Sequence, residues 1–182
     1  MSDQVPEGFR AGSLIAGSVS TSTTALAGPP FGVAVTASGR YSFVTTGNSV
    51  TVLRNDAGMA PAVVQTIGVH GASKGVALTP DGRFAIAAAG SGAAVISVPA
   101  AENGLPGPVT GFLASPKGSG AVEVLLSPDG RYVFVTLQNS AEMAVFNLAA
   151  ALTHGFGSSD FIGYVPLAAQ PVGMSTDGSW PS

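Results

Sequence analysis

Gly75-Val-Ala-Leu-Thr-Pro-Asp-Gly82-Arg83-Phe84-Ala-Ile-Ala-Ala88 is the stretch on which the architecture turns. Two short apolar runs flank Asp81-Gly82. Glycine supplies the positive φ of a tight turn, and aspartate bonds its own turn backbone, so the pair reads as a β-hairpin. Pro80 ends the first run, and Phe84 opens a second that suits a pleated surface.

The same pattern recurs. Glu123-Val-Leu-Leu-Ser-Pro-Asp-Gly130-Arg131-Tyr132-Val-Phe-Val-Thr136 repeats its Pro-Asp-Gly-Arg-aromatic turn between two apolar runs. Gly32-Val-Ala-Val-Thr-Ala-Ser-Gly39-Arg40-Tyr41-Ser-Phe-Val-Thr45 precedes it, with Ala37-Ser38 in place of Pro-Asp. Pro171-Val-Gly-Met-Ser-Thr-Asp177-Gly178-Ser-Trp180 begins a fourth, with Thr176 in place of proline. The turn glycines 39, 82, 130 and 178 are spaced by 43, 48 and 48 residues. A period in the forties built on strand pairs is the mark of propeller blades.

Each unit has room for two more strands. Third strands are read at Val50–Leu53, Ala94–Val98 and Ala144–Phe146, and fourth strands at Ala62–Ile67, Val109–Leu113 and Phe161–Val165. Leu148–His154 is the one segment that reads as helix. The fold expected is therefore all-β: a partial β-propeller of four-stranded antiparallel blades, three complete and a fourth begun. Residues 1–30 form an N-terminal segment, in which Leu14–Leu26 is expected to add one outer strand. Residues 31–182 form the propeller, with blades over about 31–68, 74–114 and 121–167 and an incomplete blade from 171.

The Pro-Asp-Gly-Arg-aromatic turn, with Gly-Val-Ala before it and Val-Thr after it, resembles the YVTN-type β-propeller repeats and the related seven-bladed lactonase-like propellers. The resemblance runs from Phe31 to Trp180. It implies a propeller fold and, through the lactonase-like branch, opening of a cyclic ester at the propeller channel. The matching residues build turns and blade cores, so the resemblance speaks to fold before function.

Blade count sets a further expectation. Propellers close with about 4–8 blades, so three blades and a start read as a piece of a longer propeller, or as half of a ring closed by two copies. Open sheet edges invite association. Self-association, a protein partner and a small-molecule ligand are the partner classes this leaves.

Composition removes other classes. The 182 residues are 46% hydrophobic and 9% charged, with 7 basic and 10 acidic side chains and a net charge of −3. A nucleic-acid binder needs a basic stripe, which this balance does not supply. Cysteine is absent, which excludes disulfides and thiolate metal sites. A mean hydropathy of +0.42 raises the question of membrane spans. The charge-free stretches 11–39 and 84–101 are interrupted by Ser18–Thr24, Gly28-Pro29-Pro30 and Gly90-Ser91-Gly92, so they read as strands and turns. Asp3 and Glu7 stand where a signal peptide carries lysine or arginine. That favours the cytoplasm, or export if a leader has been removed.

Chemistry-bearing residues are few. Lys74 and Glu123 fall at the start of the innermost strand in adjacent blades: Glu123 aligns with Gly32, Gly75 and Pro171, and Lys74 with Phe31, Val122 and Gln170. Their common level at the channel mouth makes Lys74, Glu123 and Gln170 candidate ligand-binding residues, with Glu123 and Lys74 also the candidates for catalysis. An ion pair between Lys74 and Glu123 is the simpler reading. Asp81, Gly82, Asp129, Gly130, Asp177 and Gly178 are assigned to turns, not to metal. Gly71-Ala-Ser-Lys-Gly75, beside His70, has the spacing of a nucleophile elbow, but an elbow needs a helix after it and a strand is expected here. His70 and His154 lack a partner spacing, so no metal site is expected. Gly90/Gly92, Gly118/Gly120 and Gly155/Gly157 lack the third glycine and the helix of a phosphate cradle. No cofactor is called for.

Three functions follow. The first is a non-enzymatic propeller that binds a ligand or a protein. The alternative is a lactonase-like hydrolase, and the third is an inactive piece of a longer propeller.

Overall fold

The computed structural model describes residues 21–175. They form three four-stranded antiparallel sheets, each laid down in chain order. Blade 1 is β1 (Val33–Val35), β2 (Tyr41–Thr45), β3 (Gly47–Arg54) and β4 (Ala62–Ser73). Blade 2 is β5 (Val76–Leu78), β6 (Phe84–Ala89), β7 (Gly92–Ser97) and β8 (Val109–Ala114). Blade 3 is β9 (Ala121–Leu126), β10 (Tyr132–Leu137), β11 (Glu142–Asn147) and β12 (Phe161–Pro166). The short strands β1, β5 and β9 neighbour one another, so the chain is an all-β partial β-propeller with these three innermost. Among the described residues no helix is long and apolar enough to cross a membrane.

Blade 2 explains the low charge of the chain. Successive side chains of a strand point to opposite faces, and here both faces are covered. Ala85, Ala87 and Ala89 of β6, with Ala94 and Ile96 of β7, pack with Phe43, Val50, Val52 and Ile67 of blade 1. Ile86 and Ala88, with Ala93 and Val95, pack with Val124, Val133, Val135 and Phe146 of blade 3. Alanine is a poor strand former on its own. Between two sheets its small side chain lets them approach.

The turns repeat at atomic detail. In blade 2 the Thr79 hydroxyl donates to Asp81 Oδ1 at 2.6 Å, which also accepts the Arg83 N–H at 3.0 Å, and Gly82 N–H donates to the Thr79 carbonyl at 2.8 Å. Blade 3 repeats this with Ser127, Asp129, Arg131 and Gly130 at 2.5, 3.0 and 2.8 Å. Gly82 and Gly130 sit at φ 68° and 70°, the left-handed region that a side chain strains. In blade 1, Ser38 replaces the aspartate and accepts the Arg40 N–H at 3.3 Å. The turn at Asp177 and Gly178 lies outside the described residues.

These hydrogen bonds imply a pH response. The Thr79 hydroxyl, then the Arg83 N–H, hold the Asp81 carboxyl below the usual carboxylate range. The Ser127 hydroxyl, then the Arg131 N–H, do the same for Asp129. A carboxyl held low in the folded chain stabilises it above the unfolded pKa, and the contribution is lost as the pH falls through the folded value. Thermal midpoints should therefore drop on acidification below about pH 4. In an Asp81→Asn, Asp129→Asn double variant that drop should be shallower; equal slopes in the two proteins would refute the linkage.

One expectation needs correction, and one falls largely outside the described residues. A second helix, α1 (Val98–Glu102), follows β7, where Val98 was expected to end a strand. Ser97 caps it by accepting the Ala100 N–H at 3.4 Å, and Pro99 stands in its first turn. The helix over Leu148–His154 (α2) is present, capped by Asn147 Oδ1 on the Ala150 N–H at 3.0 Å. The outer strand expected over Leu14–Leu26 falls largely outside the described residues. Residues 21–26 carry no strand, and the Thr24 hydroxyl donates to the Pro61 carbonyl at 2.5 Å. The aromatics after the turns, Tyr41, Phe84 and Tyr132, are half-buried. Arg83 lies 5.5 Å from the centre of the Phe84 ring and Arg131 5.8 Å from that of Tyr132. These cation–π contacts give the repeated Arg-aromatic pair its role.

Candidate functional site at the inner-strand mouth

The three inner strands begin at one end of the blades, and backbone contacts draw them together there. Gly75 N–H donates to the Val122 carbonyl of blade 3 at 2.7 Å. On the other side the Thr45 hydroxyl of blade 1 donates to the Lys74 carbonyl in a short hydrogen bond. Thr45 also accepts the Gly32 N–H at 2.9 Å, and Thr136, its counterpart in blade 3, accepts the Glu123 N–H at 3.1 Å. Both threonines are buried.

Glycine at this level is a matter of space. A Cβ on Gly32 would stand 2.6 Å from the Lys74 carbonyl oxygen. One on Gly75 would stand 2.3 Å from Glu123 Oε1 and 2.8 Å from Glu123 Cα, closer than real Cβ contacts come. The repeat that lacks a glycine at this level, blade 3, therefore places its carboxylate over the glycine of blade 2.

The result is a cavity of about 330 Å³ lined by Phe31, Gly32, Val33, Lys74, Gly75, Val76, Val122, Glu123 and Val172. Lys74 and Glu123 are half-buried and share its wall. They do not form the ion pair expected of them: among the described residues the ion pair is Arg54–Asp56, at 2.9 Å on the surface. Gln170 is exposed and does not line the cavity; Val172, two residues on, does.

A second cavity of about 260 Å³ adjoins the first at Lys74, which lines both. Its other walls are Gly90, Gly120, Ala121, Gln138 and Asn139. Gly90 belongs to the loop between the second and third strands of blade 2, and Gln138-Asn139 to a 3-10 turn, Gln138–Ser140, at the same place in blade 3. Sequence reading missed Gln138 and Asn139, because the register was followed along strands and not into these loops. Eight residues past each turn glycine lie Gly47, Gly90 and Gln138, and that departure from glycine was the available signal.

The remaining candidates stay apart from this mouth. Gly71–Ser73 is the end of β4, and β5, not a helix, follows, so the backbone of a nucleophile elbow is absent. Asp81 and Asp129 lie at the hairpin turns with Oδ1 engaged as described. Among the described residues no three His, Asp or Glu side chains gather as metal ligands. His154 ends α2.

No protein-family model and no curated protein matches the chain. Solved structures do match it in fold. The periplasmic gluconolactonase PpgL of Pseudomonas aeruginosa is 25% identical, with a TM-score of 0.60 over 80% of this chain and 44% of that one. A structure described as a putative 6-phosphogluconolactonase from Bacteroides fragilis is 19% identical, with a TM-score of 0.61 over 79% of this chain and 40% of its own. The β-propeller domain of a protein from Myceliophteria thermophila is 15% identical, with a TM-score of 0.57 over 77% of this chain and 44% of its own. The chain thus has a propeller fold of the lactonase-like kind. It spans less than half the length of these structures.

Proposed function

We propose that this chain is part of a β-propeller repeat scaffold that binds a small ligand at the inner-strand mouth, between Lys74 and Glu123. The observation that carries this reading is the shared cavity: side chains of opposite charge from adjacent blades line it without pairing with each other. Its volume of about 330 Å³ falls within the range of about 300–1,000 Å³ usual for ligand pockets. The repeats are assigned to the YVTN type on the Pro-Asp-Gly-Arg-aromatic turn, with blades over 31–68, 74–114 and 121–167 and a further blade from 171. Amide spectra recorded while a library of small polar metabolites is titrated test the site. Shifts are expected at Gly32, Gly75 and Val122, and they should vanish in a Lys74→Ala, Glu123→Gln double variant. Shifts that persist in that variant would move the site elsewhere.

The second reading is lactone hydrolysis. It draws support from the likeness to the Pseudomonas gluconolactonase and from a carboxylate at the mouth. The chain should then open a δ-lactone above the spontaneous rate, and Glu123→Gln should return the rate to background. A rate unaffected by Glu123→Gln rules this reading out.

A further inference from the structure

The charges at the mouth and the cavity beside them specify more than a pocket. A half-buried ammonium and a half-buried carboxylate share one wall unpaired with each other; Glu123 Oε1 accepts the Val124 N–H at 3.2 Å, and neither side chain meets an opposite charge. A simple anion answers Lys74 but is repelled by Glu123, and a simple cation meets the reverse. Selectivity of this kind comes from the repulsive partner as much as from the attractive one. A molecule that carries both charges on substituents of one carbon satisfies both side chains at once.

The second cavity then defines what hangs from that charged head. It shares Lys74 with the first, holds no further charged side chain, and has no apolar side chain larger than Ala121. Gln138 and Asn139 give it amide donors and acceptors; Asn139 Nδ2 already donates to Ser119 Oγ at 3.4 Å, a long bond that leaves capacity for another partner. Gln138 is half-buried and Asn139 exposed, so such a lining favours an uncharged hydrogen-bonding group over an alkyl chain, which would displace water from the amides without replacing its hydrogen bonds.

Resting on the ligand-binding reading above, we infer that the ligand is a zwitterionic α-amino acid with an uncharged polar side chain. Its carboxylate lies on Lys74, its ammonium on Glu123, and its side chain between Gln138 and Asn139. No covalent step is involved.

Four probes isolate the terms, titrated into the full 182-residue chain and followed by calorimetry and by amide shifts. They are L-glutamine, 4-carbamoylbutanoate (glutamine without its ammonium), 4-aminobutanamide (without its carboxylate) and L-norvaline (without its amide). L-Glutamine should bind tightest. Deleting its ammonium or its carboxylate should weaken binding by about tenfold or more, the scale of a lost hydrogen bond to a charged group, and deleting its amide by about threefold, the scale of a neutral one. Glu123→Gln should weaken L-glutamine while leaving 4-carbamoylbutanoate unchanged or tighter, which a merely structural role for Glu123 does not produce. Gln138→Ala should narrow the gap between L-glutamine and L-norvaline. If 4-carbamoylbutanoate binds the wild-type chain as tightly as L-glutamine, and Lys74→Met abolishes both, the zwitterion inference fails while the site stands. If none of the four probes shifts Gly32, Gly75 or Val122, the inference fails. The site itself then stands or falls on the metabolite titration. Because the probe series uses the wild-type chain, a misfolded variant does not decide the outcome.

Discussion

Phe146→Ala is expected to lower the unfolding free energy by about 3–5 kcal/mol. Phe146 is fully buried on β11, on the face that meets blade 2, among Val95, Leu113, Val133 and Val135. Its ring stands edge-on to Phe161 with centroids 5.7 Å apart, and Phe161 in turn lies 4.6 Å from Tyr164. Truncation therefore removes buried area, an aromatic pair and the wall against which β7 packs. Against a total stability of about 5–15 kcal/mol for a domain, that is a large fraction. Phe84→Ala should cost clearly less, because Phe84 is half-buried with its ring beneath the Arg83 guanidinium. Urea denaturation of both variants decides it. A Phe84 variant less stable than the Phe146 variant would mean that the turn aromatics, and not the blade centres, hold the sheets together.

That contrast shows where the fold was legible in the sequence. The blade period is carried by turns, and turns are local: Asp-Gly, proline and the glycine at positive φ are readable one residue at a time. Burial depends on what the neighbouring sheet supplies. Phe84 and Phe43 are both aromatic and near a turn, yet Phe43, two residues past Tyr41, is fully buried. Distance from the turn along a short strand decides this, and a residue-type pattern does not encode it. The same limit explains β4, expected to end at Ile67 but paired with β3 as far as Ser73 opposite Gly47. The regular register ends at Gly68 opposite Ser49, and Ser73 meets Gly47 only after a break in the register, which no residue pattern announces. The helix α1 was legible and was passed over: Ser97 and Pro99 are a cap and a first-turn residue in the expected order. The Ile96–Val98 run drew the reading toward a strand.

The site was legible only as a level. Alignment on the turn glycines placed Lys74 and Glu123 side by side, and they line one cavity. It also placed Gln170 there, which is exposed and away from the lining. Register holds while strands run in parallel frames. Residues 167–175 carry no strand, so the frame does not extend to Gln170. The absence of a Lys74–Glu123 ion pair was not legible at all, because shared level says nothing about which way two long side chains reach. Nor was the short Thr45-to-Lys74 hydrogen bond, although Val-Thr recurs six residues past the turn glycine in blades 1 and 3. Blade 2 carries Ala88 there, and the gap in the pattern hid the role of the hydroxyl.

Gly92→Ala should be nearly as costly as losing Phe146, at about 3 kcal/mol, the upper end of the usual cost of overpacking. Gly92 opens β7, buried at the point where blade 2 meets blade 3. A Cβ there would lie 1.9 Å from the Leu113 carbonyl oxygen and 2.9 Å from its carbonyl carbon, with the Phe146 ζ carbon at 3.2 Å. A flexible side chain could swing aside, but the nearest neighbour is the backbone of β8. Relief therefore requires β7 and β8 to separate where Gly92 pairs with Ala114 and Ala93 with Leu113. Separation would push β7 into Phe146 and so disturb the same interface that the first variant empties. Alanine has the better strand propensity of the two residues, so propensity alone predicts a gain and steric conflict predicts a loss. Gly157→Ala provides the control: Gly157 is extended at φ −162°, and nothing lies within 4 Å of its Cβ position. Its cost should stay within about 0.5 kcal/mol. Thermal and urea unfolding of the two alanine variants separate the explanations. A Gly92 variant as stable as the Gly157 control would mean that the blade 2–blade 3 interface yields by an ångström or more at no cost.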